Sequence, residues 1–312
     1  MWFRLGIRRF KREAEPTIRE LKFSLNRIKS SPLSIVGIAI ILFFVAIAIL
    51  APLLAPPPKG WRDPYMIPHE GWDPTPKPPS AEHPFGTTQH QYDIYYGCIW
   101  GTRTALYVGF VVVGTGVLIS IVIGSIAGYY GGVIDEALMR FTDIIFAFPT
   151  LVLAMALVTA FGPSLESVIK ALILVSWPSY ARVIRGEVLS VKQNDYIEAA
   201  KSIGCSDFRV IVRHVLPNSI FPLLIMASLD IGAIVLTEAA LSFLGLGPPI
   251  GFADWGQMIA FSRNWIVGPP GDPYKYWYTY IIPGLFIFTF VLGWNLLGDA
   301  FRDILDPTLR RR

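Results

Sequence analysis

Apolar residues gather in six runs, most of them close to the roughly 20 residues that an α-helix needs to cross the hydrocarbon core of a bilayer. They read as helices over about Leu33–Leu54, Leu106–Gly128, Ile144–Phe161, Val168–Val183, Ile220–Phe243 and Tyr280–Leu297. Lys170 and the pair Trp177-Pro178 interrupt the fourth, which predicts a short or kinked helix backed by its neighbours. Ahead of the first run, Ile18, Leu21, Leu25 and Ile28 recur at helical spacing among Arg19, Lys22, Arg27 and Lys29. That pattern predicts a leader, residues 1–31, with an amphipathic helix lying in the membrane interface. After the first helix, 32–55, the stretch Pro56 to Pro84 is rich in proline and aromatics. Residues 56–101 therefore read as an extended, covered outer loop and not as an independent domain. Residues 102–312 would hold a core of five further helices, and no internal repeat is visible.

Composition agrees with this picture. Of 312 residues, 53% are hydrophobic and 16% charged, and the mean hydropathy is +0.49. An all-α polytopic membrane protein fits these values better than a pair of soluble domains. The net charge of +4 does not point to nucleic acid, because the basic residues cluster in short segments beside apolar runs. Nine lie before Pro32, six between Arg182 and Arg213, and four from Arg302 to Arg312. The positive-inside rule makes those segments cytoplasmic, with both termini inside and the stretches 55–101 and 244–278 outside. Arg4, Arg8, Arg9, Lys11 and Arg12 precede a long polar stretch, unlike a cleavable signal peptide. Cys98 and Cys205 fall on opposite faces in this topology, so no disulfide between them is expected.

The most informative stretch lies between the fourth and fifth runs. Asp195 and Glu198 have the spacing of a capping box, and Gly204 can end a helix in the left-handed conformation. Ser206 or Asp207 can cap a second helix that would finish before Pro217. Ala199 and Ala200, beside Tyr196 and Ile203, would let another protein approach the backbone closely. The pattern is equally that of a purely structural hairpin.

The run Glu198-Ala199-Ala200, then Gly204 and Leu216-Pro217, resembles the signature loop of the permeases of ABC-type importers, with His214 where the broad signature has isoleucine, as in the peptide branch. His83-Pro84-Phe85-Gly86-Thr87, followed by Asp93, Gly101, Arg103 and Leu106, resembles the lead-in to the permease core in peptide/nickel-type permeases. Thr88, Gln91, Tyr92 and Gly97 depart from it, standing where that family has aspartate, glycine, arginine and arginine. Gly128-Tyr129-Tyr130-Gly131-Gly132, Asp135, Arg140, Asp143 and Phe148-Pro149 match the same branch. So do Glu238 to Gly247, Trp255-Gly256 and the tail Gly298-Asp299, Arg302-Asp303 and Leu305-Asp306-Pro307. The chain is similar to the C-type partner of dipeptide and oligopeptide systems.

The resemblance implies a type I importer permease in the plasma (inner) membrane of a bacterium or archaeon, surrounded by membrane lipid and paired with a homologous B-type permease. It also implies two ABC ATPase subunits, which would carry ATP and magnesium, and an extracytoplasmic solute-binding protein. The coupling loop, 187–217, would act through Asp195, Tyr196, Glu198, Ala199, Ala200, Gly204, His214, Leu216 and Pro217. Peptide is the implied cargo, with oligosaccharide or nickel as alternatives.

No glycine is followed by lysine and then Ser or Thr, so the chain has no Walker-type ATP site of its own. It also shows no paired His, Cys or Ser constellation of an enzyme. Ionisable groups at membrane depth belong in the bundle interior or against water. Asp230 and Thr237, seven residues apart, share a helical face that could line a polar path, and Glu238 lies about 80° round from it. The same two acids would couple transport in an ion-driven secondary carrier, the rival reading. His83, His90 and Asp93 have donor types that suit nickel or zinc, but their spacing is loose and no metal site is read. The run Tyr274 to Tyr278 reads as an interfacial aromatic belt.

Overall fold

A computed structural model describes residues 31–305 apart from Glu70 and Trp72, and side chains as far as Arg302. The leader helix and the tail 306–312 lie outside the described residues. Helices account for most of the chain. They are α1 Pro32–Leu54, α2 Ile94–Tyr130, α3 Gly132–Phe146, α4 Thr150–Phe161, α5 Leu165–Val191, α6 Asp195–Ser202, α7 Asp207–Val210, α8 Leu216–Ser219, α9 Phe221–Phe243, α10 Trp255–Ala260 and α11 Tyr278–Leu305. Extended pairing among the described residues is limited to isolated bridges such as Met66 with Phe252 and His69 with Tyr92.

Helix starts follow local chemistry. Ser31 caps α1 by accepting the Ser34 amide at 3.4 Å, with Pro32 at the first helical position. Asp93 caps α2 through the Tyr96 amide at 2.7 Å, and Ser164 caps α5 through the Ser167 amide at 3.1 Å. Five helices, α1, α2, α5, α9 and α11, are long and apolar enough to cross a membrane, and α3 with α4 makes a sixth candidate bent by 85°.

Three expectations need correction. The second span begins at Ile94, well before Leu106, because Asp93 starts the helix in a stretch that is buried by protein, not lipid. The third run is not one rod. Pro149 restricts Phe148 to extended geometry and breaks the helix between Phe146 and Thr150. The fourth is neither short nor interrupted: α5 runs on through Pro178 as an interior helix, with Ala171, Leu172, Trp177, Tyr180, Ala181 and Ile184 buried. Proline is tolerated where neighbouring helices surround it, and α5 packs on α2, α4 and α9.

The α2–α5 contact rests on Gly116, Ser120, Gly124 and Gly128, one residue per turn. Ser120 donates its hydroxyl across the seam to the Trp177 carbonyl at 2.7 Å. At the end of this core where α2 begins, α10 tucks back between α9, α11 and α2. Trp255 there joins Phe44, Phe286 and Phe290, with ring centroids 5.3 to 6.1 Å apart. Leu33, Ile49, Leu53, Leu118 and Phe288 point outward, a surface suited to lipid.

Candidate functional site

The connection between α5 and α9 folds as a self-contained hairpin. Asn194, not Asp195, is the N-cap of α6, and its amide turns back to the Val191 carbonyl at 2.8 Å. No side chain caps the helix, so Asp195 and Glu198 do not form the expected box. They instead place negative charge in the first turn, and Lys201 balances them in the last. Gly204 ends α6 at φ +84. Its amide bonds to the Lys201 carbonyl at 2.9 Å and the Cys205 amide to Ala200 at 3.1 Å, the paired bonds of a Schellman cap.

The second arm does not finish before Pro217. A π-helical turn, Ile211–Val215, follows α7 and passes the Leu216 amide to the Ile211 carbonyl. That shift of hydrogen-bond register comes just before the residue that lacks an N–H, so Pro217 sits in the first turn of α8. His214 is half-buried, and its carbonyl accepts from the Asn218 amide at 2.7 Å. Leu216 packs against the core.

The hairpin has two faces. Ile197, Ala200, Val210 and Val215 are buried, while Tyr196, Ala199 and Val212 are exposed and Ile203 and Phe208 stand 82% and 76% exposed. Ala199 therefore faces out and Ala200, about 100° further round the helix, faces in. Beside the hairpin, Arg185 holds Asp135 of α3 by two bonds of 2.6 Å, and Arg182 pairs with Asp143 while covering the Phe146 ring. Tyr129, at the end of α2, meets both arms of the hairpin. In the sequence it stands out only as part of a Gly-Tyr-Tyr-Gly-Gly run, because its partners lie far along the chain.

The acids of α9 separate. Asp230 is half-buried beside the Tyr180 hydroxyl, and Thr237 turns its hydroxyl onto the Ala233 carbonyl at 2.8 Å. Glu238 is only 3% exposed and accepts from the Ser242 hydroxyl at 3.0 Å. Its carboxyl meets that of Asp254, which is 1% exposed and caps α10 through the Gln257 amide at 2.7 Å. Burial pushes the Asp254 carboxyl above the usual carboxylate range. Glu238 is thus enclosed by Ser242 and Asp254 of this chain.

The lead-in segment is a clasp. His83 Nδ1 and Asp93 Oδ2 are 2.6 Å apart, at the start of α2 that Asp93 caps. A Cβ on Gly86 would stand 2.7 Å from the Lys77 carbonyl and 2.8 Å from the Tyr278 ring. Thr87 accepts from the Lys77 amide at 3.1 Å and donates to Gln91 at 3.2 Å. Arg103 stacks 5.2 Å above the Trp100 ring.

The four departures are all buried and serve the connection between α1 and α2. Gln91 donates to the Asp73 and Thr75 carbonyls at 3.1 and 2.9 Å, and Tyr92 stacks on Phe261 at 5.2 Å. Thr88 bonds within its turn. Gly97 leaves room for Met258 and Ile67. Among the described residues no group of three or more His, Cys, Asp or Glu could hold a metal ion.

Comparison with known proteins accords with this architecture. Residues 120–311 match the family of binding-protein-dependent transport system inner membrane components, and residues 23–70 match the N-terminal transmembrane domain of oligopeptide transport permease C. The dipeptide transport system permease DppC of Alkalihalophilus pseudofirmus is 39% identical, covering 92% of this chain and 90% of that one. The probable D,D-dipeptide transport system permease DdpC of Escherichia coli is also 39% identical, over 90% and 89%. Among solved structures, the inward-facing MetNI methionine ABC transporter superposes with a TM-score of 0.53 at 16% identity, over 68% of this chain and 97% of that one. With most of its length matched by that family and by these permeases, the chain belongs to the binding-protein-dependent transport system inner membrane components, with the N-terminal domain of the oligopeptide permease C type.

Proposed function

We propose that this chain is the C-type permease subunit of an ATP-driven importer of di- and oligopeptides. It pairs with a homologous B-type permease and with two ABC ATPase subunits, which hold the ATP and magnesium, and receives cargo from an extracytoplasmic solute-binding protein. One observation carries the reading: a hairpin between two membrane helices, its first arm closed by a Gly204 cap, exposes Ile203 and Phe208 beside Tyr196 and Ala199. An apolar patch of that kind outside the spans calls for a protein partner. Peptide cargo follows from the relatives, which are named for dipeptides, D,D-dipeptides and glutathione.

In this reading the division of labour follows the chain. The leader, 1–31, lies in the cytoplasmic interface, α1 anchors, and 56–101 forms the outer clasp. The core 102–312 carries the path, and both termini are cytoplasmic in a plasma (inner) membrane. Closure of the ATPases displaces the coupling loop 187–217 and tilts α5 and α9, and on α9 Asp230 and Thr237 border the polar path. The Asp195 to Ala200 helix and Gly204 form the docked edge, and His214, Leu216 and Pro217 join it to the core.

The test is an affinity pull-down from native membranes in mild detergent, wild type against Gly204→Asp, with mass spectrometry of the partners. Recovery of a second permease and ATPases with wild type, and loss of the ATPases with the variant, is the expected result. A lone polypeptide under several detergents would overturn the reading in favour of an ion-driven carrier.

A further inference from the structure

Tyr129 occupies the last turn of α2 and is 3% exposed. Its hydroxyl donates to Asp207 Oδ1, the first residue of α7, at 2.7 Å. The ammonium of Lys201, in the last turn of α6, lies 4.9 Å from the centre of its ring. Lys192, just past the end of α5, lies 5.6 Å from the same ring and donates to the Tyr129 carbonyl. A single side chain therefore grips the first arm of the hairpin by its charge, the second by a hydrogen bond, and the helix before them by its backbone. The hydroxyl-to-carboxylate bond is charge-assisted, and the ring attracts the ammonium groups through its electron-rich face.

What lies at the other end of α2 gives this grip its consequence. The helix has 37 residues, a rod of about 55 Å. At its far end the Trp255 indole N–H bonds to the Cys98 carbonyl at 3.0 Å and the Thr104 hydroxyl to the Ala253 carbonyl at 2.9 Å. Asp93 there starts the rod and holds His83 of the outer clasp. Close-packed helices move as units and do not deform gradually. We propose that Tyr129 is the positioning residue that passes displacement of the hairpin to α2, so that a push on α6 and α7 is felt at the outer cap formed by α10 and the clasp. This rests on the importer reading above.

The test uses the complete importer purified from native membranes and reconstituted in liposomes with its binding protein and a labelled dipeptide, read as dipeptide taken up per ATP hydrolysed. Tyr129→Phe keeps the ring and removes only the hydroxyl, Asp207→Ala removes the acceptor, and Asp207→Asn keeps an acceptor oxygen. Loss of one hydrogen bond to a charged group predicts a ratio lowered about tenfold in Tyr129→Phe and in Asp207→Ala. The double variant should be no worse than either single one, and Asp207→Asn, which keeps a neutral acceptor but loses the charge assistance, should fall between wild type and the alanine variant. A wild-type ratio in Tyr129→Phe, an additive loss in the double variant, or an Asp207→Asn as poor as the alanine variant each overturns the proposal. Absence of ATP-driven uptake by the wild-type assembly overturns the importer reading itself and the proposal with it, an outcome distinct from a transporter indifferent to the Tyr129 hydroxyl.

Discussion

Gly124 of α2 lies so close to Ala181 of α5 that a methyl group on the glycine would stand 2.6 Å from the Ala181 carbonyl oxygen. One turn on, a Cβ at Gly128 would meet the Arg185 carbonyl at 2.9 Å. Apolar area alone does not drive helices together in lipid, so such backbone contact decides which pair associates tightly. Here it binds the long helix to the helix that leads into the hairpin.

Gly124→Val should therefore separate α2 from α5 and destabilise the detergent-solubilised protein by about 3 kcal/mol. Gly114→Ala is the control, because nothing lies within 4 Å of a Cβ there. Thermal unfolding followed by fluorescence checks both, and equal melting temperatures for the two variants would refute the tight-seam account.

At Gly204 the cost is conformational. Its φ is +84 and a Cβ would have no neighbour within 4 Å, so Gly204→Ala should weaken the cap of α6 by about 1 kcal/mol, and Gly204→Asn by less. Hydrogen exchange at the Cys205 amide reads the effect, expected to be about fivefold faster in the alanine variant. Unchanged protection would argue against the Schellman cap.

The outward face of the hairpin should be a binding surface and not a folding element. Ile203→Glu and Phe208→Glu are expected to leave the melting temperature unchanged while stripping ATPases from the co-purified complex, since both side chains are largely exposed. Normal ATPase recovery from both variants would move the docking surface elsewhere.

The buried Glu238–Asp254 pair carries a pH prediction. Two ionised carboxylates in contact repel, so the pair holds together by sharing a proton. Burial raises the folded-state pKa of Asp254 above its unfolded value. Its contribution is therefore present at low pH and lost as the pH rises through the folded value. Thermal stability in wild type should fall as the pH rises above the ordinary carboxylate range and through the raised folded-state value, and Glu238→Gln, which supplies a permanent donor, should flatten that slope. A slope identical in both proteins would exclude the shared proton.

Asp230 borders water if it lines the path. An Asp230→Cys variant in a Cys205→Ser background, with Cys98 buried, should react with a membrane-impermeant thiol reagent in the assembled complex. Protection from the reagent in every state of the ATP cycle would take Asp230 off the path.

Local signals in the chain were readable where they are complete within a few residues. Gly204 announced its left-handed turn because the bonds it completes reach back only to Lys201 and Ala200. The Asp195–Glu198 spacing is that of a capping box, but spacing does not reveal that Asn194 turns its amide back to Val191. The continuous apolar run from Ile144 to Phe161 concealed its break at Pro149. Asp135 and Asp143 of α3 take arginine partners on α5, and an arm of the run is held there by groups that no window around Pro149 contains.

Run length, charge asymmetry and turn residues determined a helical membrane protein with up to six spans and a hairpin between the fourth and fifth runs. Those features depend on bilayer thickness, on hydration of charge and on backbone geometry over one or two turns. Tertiary structure alone decided that Glu238 is sealed against Asp254, that Ala199 faces out while Ala200 faces in, and that Tyr129 joins α2 to both hairpin arms. Helical period fixes the angle between two side chains on one rod, but only the arrangement of the other rods says what each angle faces.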